Sequence, residues 1–467
     1  MNKETIKATL IEIEQCMDAF NKKYRKQDAS YIKFNLDDYS DEEIHAETGY
    51  SVMLVSSALL SVVHDQSFTS FARAATRITR GYIGLRESLN VLNTNRHWAY
   101  PRSRKHLEAF VKFCFGLFEI VIACMPAKLS RFLNFIGFSG HYRTGIEYLE
   151  EAFAIKNTFA GQVSGLTLTF IYTVVEFIYG LGEIKLDVLK MIKIDCLAIH
   201  PDSAYTTMVC ASIHFYEADW NQTISLCNEK LIESSKQPKY IKFILRLLIS
   251  LSFAFQCKWR EAAEGMEILL EAKWAKALMH YAYGSFLFMA MISEGTRQHE
   301  EELEIIFKKI PSLCRRIGGR KTFYDNFVSK RSQKYFLESR KHFLPAYELF
   351  YVLNLFNVIE KNRTFMELML KDIVSHLECG EDDFASYDDF ANLLFLKAII
   401  FKHLNQMNEA IDLLCSIINN GNRIKNDKFI LAHATFEIGR IYEKNNNLID
   451  ARLWITKSKN DYSRFLT

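Results

Sequence analysis

Apolar side chains recur at i, i+3 and i+4 along most of the chain, as in Leu394, Ala398 and Phe401, the spacing that draws one stripe down a helix. This pattern predicts helix pairs at about 202–233, 239–272, 275–310, 312–336, 345–379, 382–420 and 426–463. The first part of the chain is less regular. One long helix runs to about Arg25, and Ser40-Asp41-Glu42-Glu43 has the form of a capping box opening a second. Helices near 66–92, 102–124, 140–155, 160–181 and 184–198 follow. No Ser/Gly-rich linker or low-complexity tract interrupts the chain. The expected organisation is an irregular helical region over 1–200 running without a break into repeats over 201–467.

Two spacings predict what the repeats are. The prolines Pro101, Pro126, Pro201, Pro238, Pro311 and Pro345 are separated by 25, 75, 37, 73 and 34 residues. After the first gap these approximate one or two multiples of ~36, the period of tetratricopeptide-like helix pairs. Proline marks helix boundaries. In such a unit a small residue on the first helix meets another 12 positions later, with an aromatic at +3 and a bulky apolar residue at +16 filling the groove. The set Ala398, Phe401, Ala410 and Leu414 fits these offsets, and so does Gly439, Tyr442, Ala451 and Ile455. Weaker copies run through Ala211, His214, Thr223 and Cys227, and through Leu251, Ala254 and Ala263. The fold class expected is all-α, a single continuous solenoid of helical hairpins.

Composition agrees. Only 6 prolines and 19 glycines occur in 467 residues, too few for an all-β fold with its frequent turns. Ten cysteines are dispersed with no Cys-x-x-Cys pair, and the N-terminus lacks the apolar core of a signal peptide. Both predict reduced thiols in a cytosolic or nuclear protein that is not secreted. Residues 160–182 carry no Lys or Arg and are long enough to span a bilayer. Glu176 within that stretch favours buried solenoid helices over a membrane segment.

No catalytic, metal or cofactor constellation emerges. Glu42-x-x-His45 is half of a di-iron motif with no second half, and the His-Glu-x-x-His zinc helix is absent. The glycine-dense stretch from Gly137 to Gly145 has neither phosphate-loop spacing; it reads as a helix end at Gly137 with Ser139 capping the next helix. Charge is the stronger signal. Residues 308–341 hold Lys308, Lys309, Arg315, Arg316, Arg320, Lys321, Lys330, Arg331, Lys334, Arg340 and Lys341 against only Asp325 and Glu338, in a chain whose net charge is +3. A field of this kind recruits acidic protein segments or anionic lipid. Nucleic acid is disfavoured because the chain as a whole is nearly neutral. The candidate partner- or anion-binding set is Arg315, Arg316, Arg320, Lys321, Lys330, Arg331 and Lys334. The acidic run Glu300-Glu301-Glu302 with Glu304 is a candidate to fold back and neutralise part of it.

Several stretches together resemble the tetratricopeptide repeat protein 39 family, which includes the fungal inclusion body clearance proteins. They are Glu42-Glu43-Ile44-His45-Ala46-Glu47; Pro126 followed by Phe132-Leu133-Asn134-Phe135-Ile136-Gly137-Phe138-Ser139-Gly140; Ile310-Pro311; Lys330-Arg331-Ser332-Gln333-Lys334-Tyr335-Phe336; and Lys459-Asn460-Asp461-Tyr462. The resemblance implies an all-helical, non-enzymatic interaction scaffold without a cofactor, the fungal branch being tied to inclusion clearance and lipid droplets. Against the family pattern the chain is expected to lack a first helical pair and the segment after Tyr462. The functional expectation is a cytoplasmic adaptor that binds other proteins on its inner face, helped by the basic cluster. The alternative is a peripheral protein on an organelle membrane, holding anionic lipid through 308–341.

Overall fold

The computed structural model describes residues 3–23, 39–64, 68–94, 96–125, 127–135, 137–181, 184–233, 239–317, 320–337 and 344–462. Within them the chain is helical throughout, apart from one two-residue ladder. It divides into two compact units, Met1–Ile171 and Tyr172–Thr467.

The first unit contains α1 (Lys3–Lys23), α2 (Asp41–His64), α3 (Phe68–Leu92), α4 (Pro101–Ala123), α5 (Ala127–Phe135), α6 (Tyr142–Ala154) and α7 (Phe159–Phe170). The capping box closes as its sequence predicts. Ser40 N donates to Glu43 Oε2 at 2.8 Å, and Glu43 N donates to Ser40 Oγ at 3.3 Å. His45 turns to α4, its Nε2 lying 3.1 Å from Ser103 Oγ. Pairs α2–α3 and α4–α6 form the body of the unit, over a core that includes Ile44, Leu85, Leu107, Val111 and Phe118. Helices α4 and α6 touch at backbone distance. A Cβ on Gly116 would stand 2.8 Å from Gly145 O, and one on Gly145 would stand 2.8 Å from Gly116 O. The glycine-dense stretch therefore serves packing. Gly137 ends α5 with φ +92°, but Ser139 caps nothing: α6 begins after His141, whose backbone N–H donates to Glu119 Oε2 at 2.8 Å.

In the second unit the chain widens to a π-helical turn over Ile171–Glu176, which begins at the last residue of the first unit, continues in α8 (Phe177–Tyr179), and then forms α9 (Leu186–Ile199). The sequence reading placed α9 in the N-terminal region, whereas it packs on α10 here. Helical hairpins follow: α10–α11 (Ala204–Tyr216, Trp220–Glu233), α12–α13 (Lys239–Phe255, Trp259–Glu267) and α14–α15 (Lys276–Glu294, Glu300–Leu313). After α16 (Phe323–Leu337) come α17 (Pro345–Val352) with α18 (Phe356–Ile359) and α19 (Arg363–Leu377), then α20–α21 (Tyr387–His403, Met407–Asn419) and α22–α23 (Phe429–Lys444, Leu448–Tyr462).

One turn geometry recurs in every hairpin. Ala218, Cys257, Gly295, Asn354, Asn405 and Asn446 all take φ between +56° and +64°. Each is followed by a residue whose N–H reaches back five positions: Asp219 to His214 O, Lys258 to Phe253 O, Thr296 to Met291 O, Leu355 to Phe350 O, Gln406 to Phe401 O and Asn447 to Tyr442 O, at 2.7 to 3.1 Å. This is the left-handed helix stop that glycine or asparagine serves best. Ala218 departs from that preference, and an L-residue there costs roughly 1–2 kcal/mol. Ala218→Gly is therefore expected to raise stability by about 0.5–1 kcal/mol after the extra unfolded-state entropy of glycine is counted, measured as a higher urea midpoint at unchanged m-value.

Three features depart from the sequence reading. The span 312–336 forms no helix pair. Its first part is an antiparallel ladder of Arg316–Ile317 with Arg320–Lys321 (β1, β2), and only α16 is helical. Pro311 sits inside α15, two residues before its end, instead of at a helix boundary. The fourth hairpin also packs beyond its sequence neighbours: Phe350 of α17 meets Phe255 and Trp259, and Phe365 of α19 meets Trp220 at a ring separation of 5.3 Å. Lys361 Nζ donates to Tyr216 O at 2.6 Å across the same seam.

Candidate functional site

The basic cluster separates into a buried half and a surface half. On α16, Val328, Arg331 and Tyr335 share the inner face, each nearly inaccessible. Arg331 forks onto both carboxylate oxygens of Glu348 from α17, and its Nη1 donates to Asp427 Oδ2 at 2.7 Å. Lys334 Nζ lies 2.6 Å from Asp427 Oδ2 and 2.6 Å from Asp389 Oδ1. Asn392 Nδ2 donates to Glu348 Oε1 at 2.5 Å. Asp388 receives the backbone N–H groups of Lys425, Asn426 and Asp427 at 3.1, 2.8 and 2.6 Å, fixing the turn that presents Asp427.

Electrostatics follow the geometry. Burial opposes the charge on Arg331, yet Asp427 and Glu348 hold its pKa well above the ordinary value. Burial likewise opposes the Asp427 carboxylate, and Arg331 with Lys334 overcomes it, pulling the pKa down to about 2. Asp427 thus adds stability above its ordinary pKa of 3.8, lost as pH falls through 2. Arg331 and Lys334 are spent on internal carboxylates and offer no free cation to a ligand. The neutralising acids come from α17, α20 and the turn before α22. The expected Glu300–Glu304 fold-back has a different outcome for Glu302, which accepts from Tyr283 Oη at 2.6 Å and lies 3.1 Å from His299 Nδ1.

The surface half is built differently. Lys330 is exposed. Lys321 Nζ donates to Ser329 Oγ at 2.9 Å, and the Arg315 guanidinium donates to Lys273 O. Arg316 and Arg320 form the ladder through their backbones; their side chains, with Arg340 and Lys341, lie outside the described residues. Because α14 and α15 are antiparallel, the start of α14 stands beside the end of α15. This sets Lys273 and Lys276 near Lys309 and Arg315, and Trp274, next to Lys273 in the chain, is exposed. Sequence reasoning missed Lys273, Trp274 and Lys276 because they precede the charge run. Buried His280 has its pKa lowered by burial, and the nearby charges of Lys309 and Lys276 lower it further.

The repeat-packing residues lie in the core of the second unit. Ala398, Ala410 and Leu414 are fully buried, with Phe401 packed partly buried against the same core. A Cβ on Gly439 would stand 3.1 Å from Ala451 O and 2.7 Å from Ile455 Cγ1; Tyr442 is half-buried one turn on. In α12–α13 the contact falls one residue earlier than the sequence reading placed it: Ser250 Oγ donates to Ala262 O at 2.5 Å. Polar groups on the first helices of the last hairpins satisfy one another. Tyr351 Oη lies 3.1 Å from Glu437 Oε1 and 2.9 Å from His433 Nδ1, and Lys402 Nζ donates to Glu437 Oε2 at 2.6 Å.

The apolar stretch Phe159–Tyr179 is long and apolar enough to cross a membrane by length and composition, but over half of it is buried in protein. Among the described residues no group of His, Cys, Asp and Glu could hold a metal ion.

Stacked helical hairpins with small-residue contacts and a recurrent left-handed stop define a tetratricopeptide-type protein-interaction scaffold, a class that is generally non-catalytic. The profile of Iml2/Tetratricopeptide repeat protein 39 matches residues 1–404, and the chain belongs to that family. The match ends at the close of α20, yet α20–α21 and α22–α23 repeat the same hairpin. Tetratricopeptide repeat protein ttc-39B of Caenorhabditis elegans is 24% identical over 429 residues, covering 90% of this chain and 72% of that protein. A solved structure, the human IFIT1 dimer with m7Gppp-AAAA, aligns over 96% of this chain and 94% of that chain at 12% identity and TM-score 0.34. That likeness is too distant to place any residue here.

Proposed function

We propose that this scaffold works as a cytoplasmic adaptor that captures an acidic segment of a partner protein, in protein-inclusion clearance or a process linked to lipid droplets. The observation that carries the reading is the convergence of Lys273, Lys276, Lys309 and Arg315 where α14 begins and α15 ends, with exposed Trp274 next to Lys273 in the chain and Lys321 and Lys330 further along. Such a surface attracts carboxylate-rich segments and offers an aromatic anchor, the residue type that dominates interface hot spots.

The test is proximity labelling in cells with the wild type and with a variant carrying Lys273→Glu, Lys309→Glu, Arg315→Glu and Lys330→Glu. The leading partners are expected to fall at least ~10-fold in recovery, with the melting temperature unchanged because none of these side chains is buried. An unchanged partner set would remove the reading. A second reading, attachment to an organelle membrane, is favoured by one observation. Met191, Ile194 and Leu197 form an exposed apolar stripe on α9, with fractional exposures of 51%, 65% and 43%. Salt-sensitive flotation of the purified chain with anionic vesicles, lost in the charge-reversed variant, would support it.

A further inference from the structure

The first residues of the second unit, 172–181, run across elements that are far apart in sequence. Phe177 is buried in the core of the hairpin array and stacks edge-on against Tyr216 at 5.1 Å. Three side chains then hold the backbone of the segment. Tyr216 Oη donates to Thr173 O within the π-helical turn. Asn354 Nδ2 donates to Phe177 O at 3.0 Å, and Tyr324 Oη donates to Ile178 O at 3.1 Å. The donors come from α10, from the α17–α18 turn and from α16. Tyr179 lies edge-on to the Tyr324 ring at 5.6 Å.

Carbonyls in the last turn of a helix have no i+4 partner and must be met from outside. Here the array meets them. Gly180 ends the helix with φ +62°, and the N–H of Leu181 returns to Glu176 O. A protein holds a short helical peptide by burying its apolar anchors in a groove; Phe177 is such an anchor, and the three donors to carbonyl oxygens add a readout of the helix end. The segment ends loosely, with Tyr179 63% and Leu181 48% exposed, and π turns concentrate at functional sites. We infer that Tyr216, Tyr324 and Asn354 form a docking site for a helix C-terminus bearing a phenylalanine, occupied in cis by residues 172–181. A partner segment of that chemistry competes with the chain's own. This rests on the adaptor reading and adds a second, self-blocked contact to it.

Competition has a quantitative signature. A site open about one per cent of the time weakens an incoming peptide by about a hundredfold. The probe is a fluorescent peptide of residues 170–181 with lysines added at both ends for solubility, titrated against the full chain. Phe177→Ala removes the anchor in cis. Gly180→Pro forbids the +62° turn while leaving every buried side chain in place, and serves if the first variant fails to fold. Either folded variant is expected to bind the peptide at least ~10-fold more tightly than the wild type does, and a peptide carrying Phe177→Ala is expected not to bind. Equal uptake by wild type and variants, or none by either folded variant, would overturn the inference. No cellular partner enters this titration, so its failure leaves the adaptor reading standing, and failure of the labelling test leaves the titration intact.

Discussion

Replacing Arg331 with alanine is expected to lower the stability of the second unit by about 3–5 kcal/mol, because it strands buried carboxylates. Glu348 would keep only Asn392 of the partners described above, and Asp427 would retain Lys334. The loss would appear in urea denaturation as a lower midpoint for the second unit. Replacing Arg331 with methionine and Glu348 with leucine together should recover most of it, since swapping a buried ion pair for apolar groups of similar volume is often neutral. Lys330→Ala, next in sequence but exposed, should change stability by less than about 0.5 kcal/mol. A small effect of Arg331→Ala would mean that the network is not formed in solution.

Gly116→Val should destabilise the first unit by about 3 kcal/mol, at the upper end of overpacking effects. Any Cβ on Gly116 meets Leu149 Cγ at 2.7 Å as well as Gly145 O at 2.8 Å. A side-chain tip can rotate away; a carbonyl in the middle of α6 cannot, so the helices must separate. Relief is not available from the other side, because Gly145 faces Gly116 O at the same distance. Hydrogen exchange would localise the damage to α4 and α6, with α10 to α23 unaffected. Protection unchanged in α4 and α6 would show that the two helices pack less closely than described.

The helices themselves were largely legible in the sequence. Most boundaries follow from periodicity, and the pair Gly439/Ala451 announces its contact because both members are small. The register slipped at α12–α13, where Ala254 and Ala263 drew attention from Ser250 and Ala262, a contact made by a hydroxyl. In the hairpins after α14 and α17 the equivalent positions are Phe288 and Tyr347, so only the turn geometry marks the repeat. The ladder of 316–317 with 320–321 does carry a local sequence signal, because Gly318-Gly319 is a dipeptide favoured in two-residue hairpin loops. The site was legible as charge and illegible as geometry. Val328, Arg331 and Tyr335 share a helix face by spacing alone, but the acids that claim Arg331 and Lys334 lie 17 to 96 residues further along the chain. Likewise the apolar character of 160–182 is visible in composition, while the hold on residues 172–181 depends on Tyr216, Tyr324 and Asn354, which no local pattern connects to them.

The seam between the first and fourth hairpins alters how the second unit comes apart. A linear stack of repeats frays from its ends, each unit answering only to the next. Here Trp220 with Phe365 and Tyr216 with Lys361 tie an early hairpin to a late one, so the intervening helices form a closed loop of mutual support. Melting must release that loop at once, and assembly must bring its distant halves together before either is secure. The ensemble gains cooperativity at the expense of folding speed.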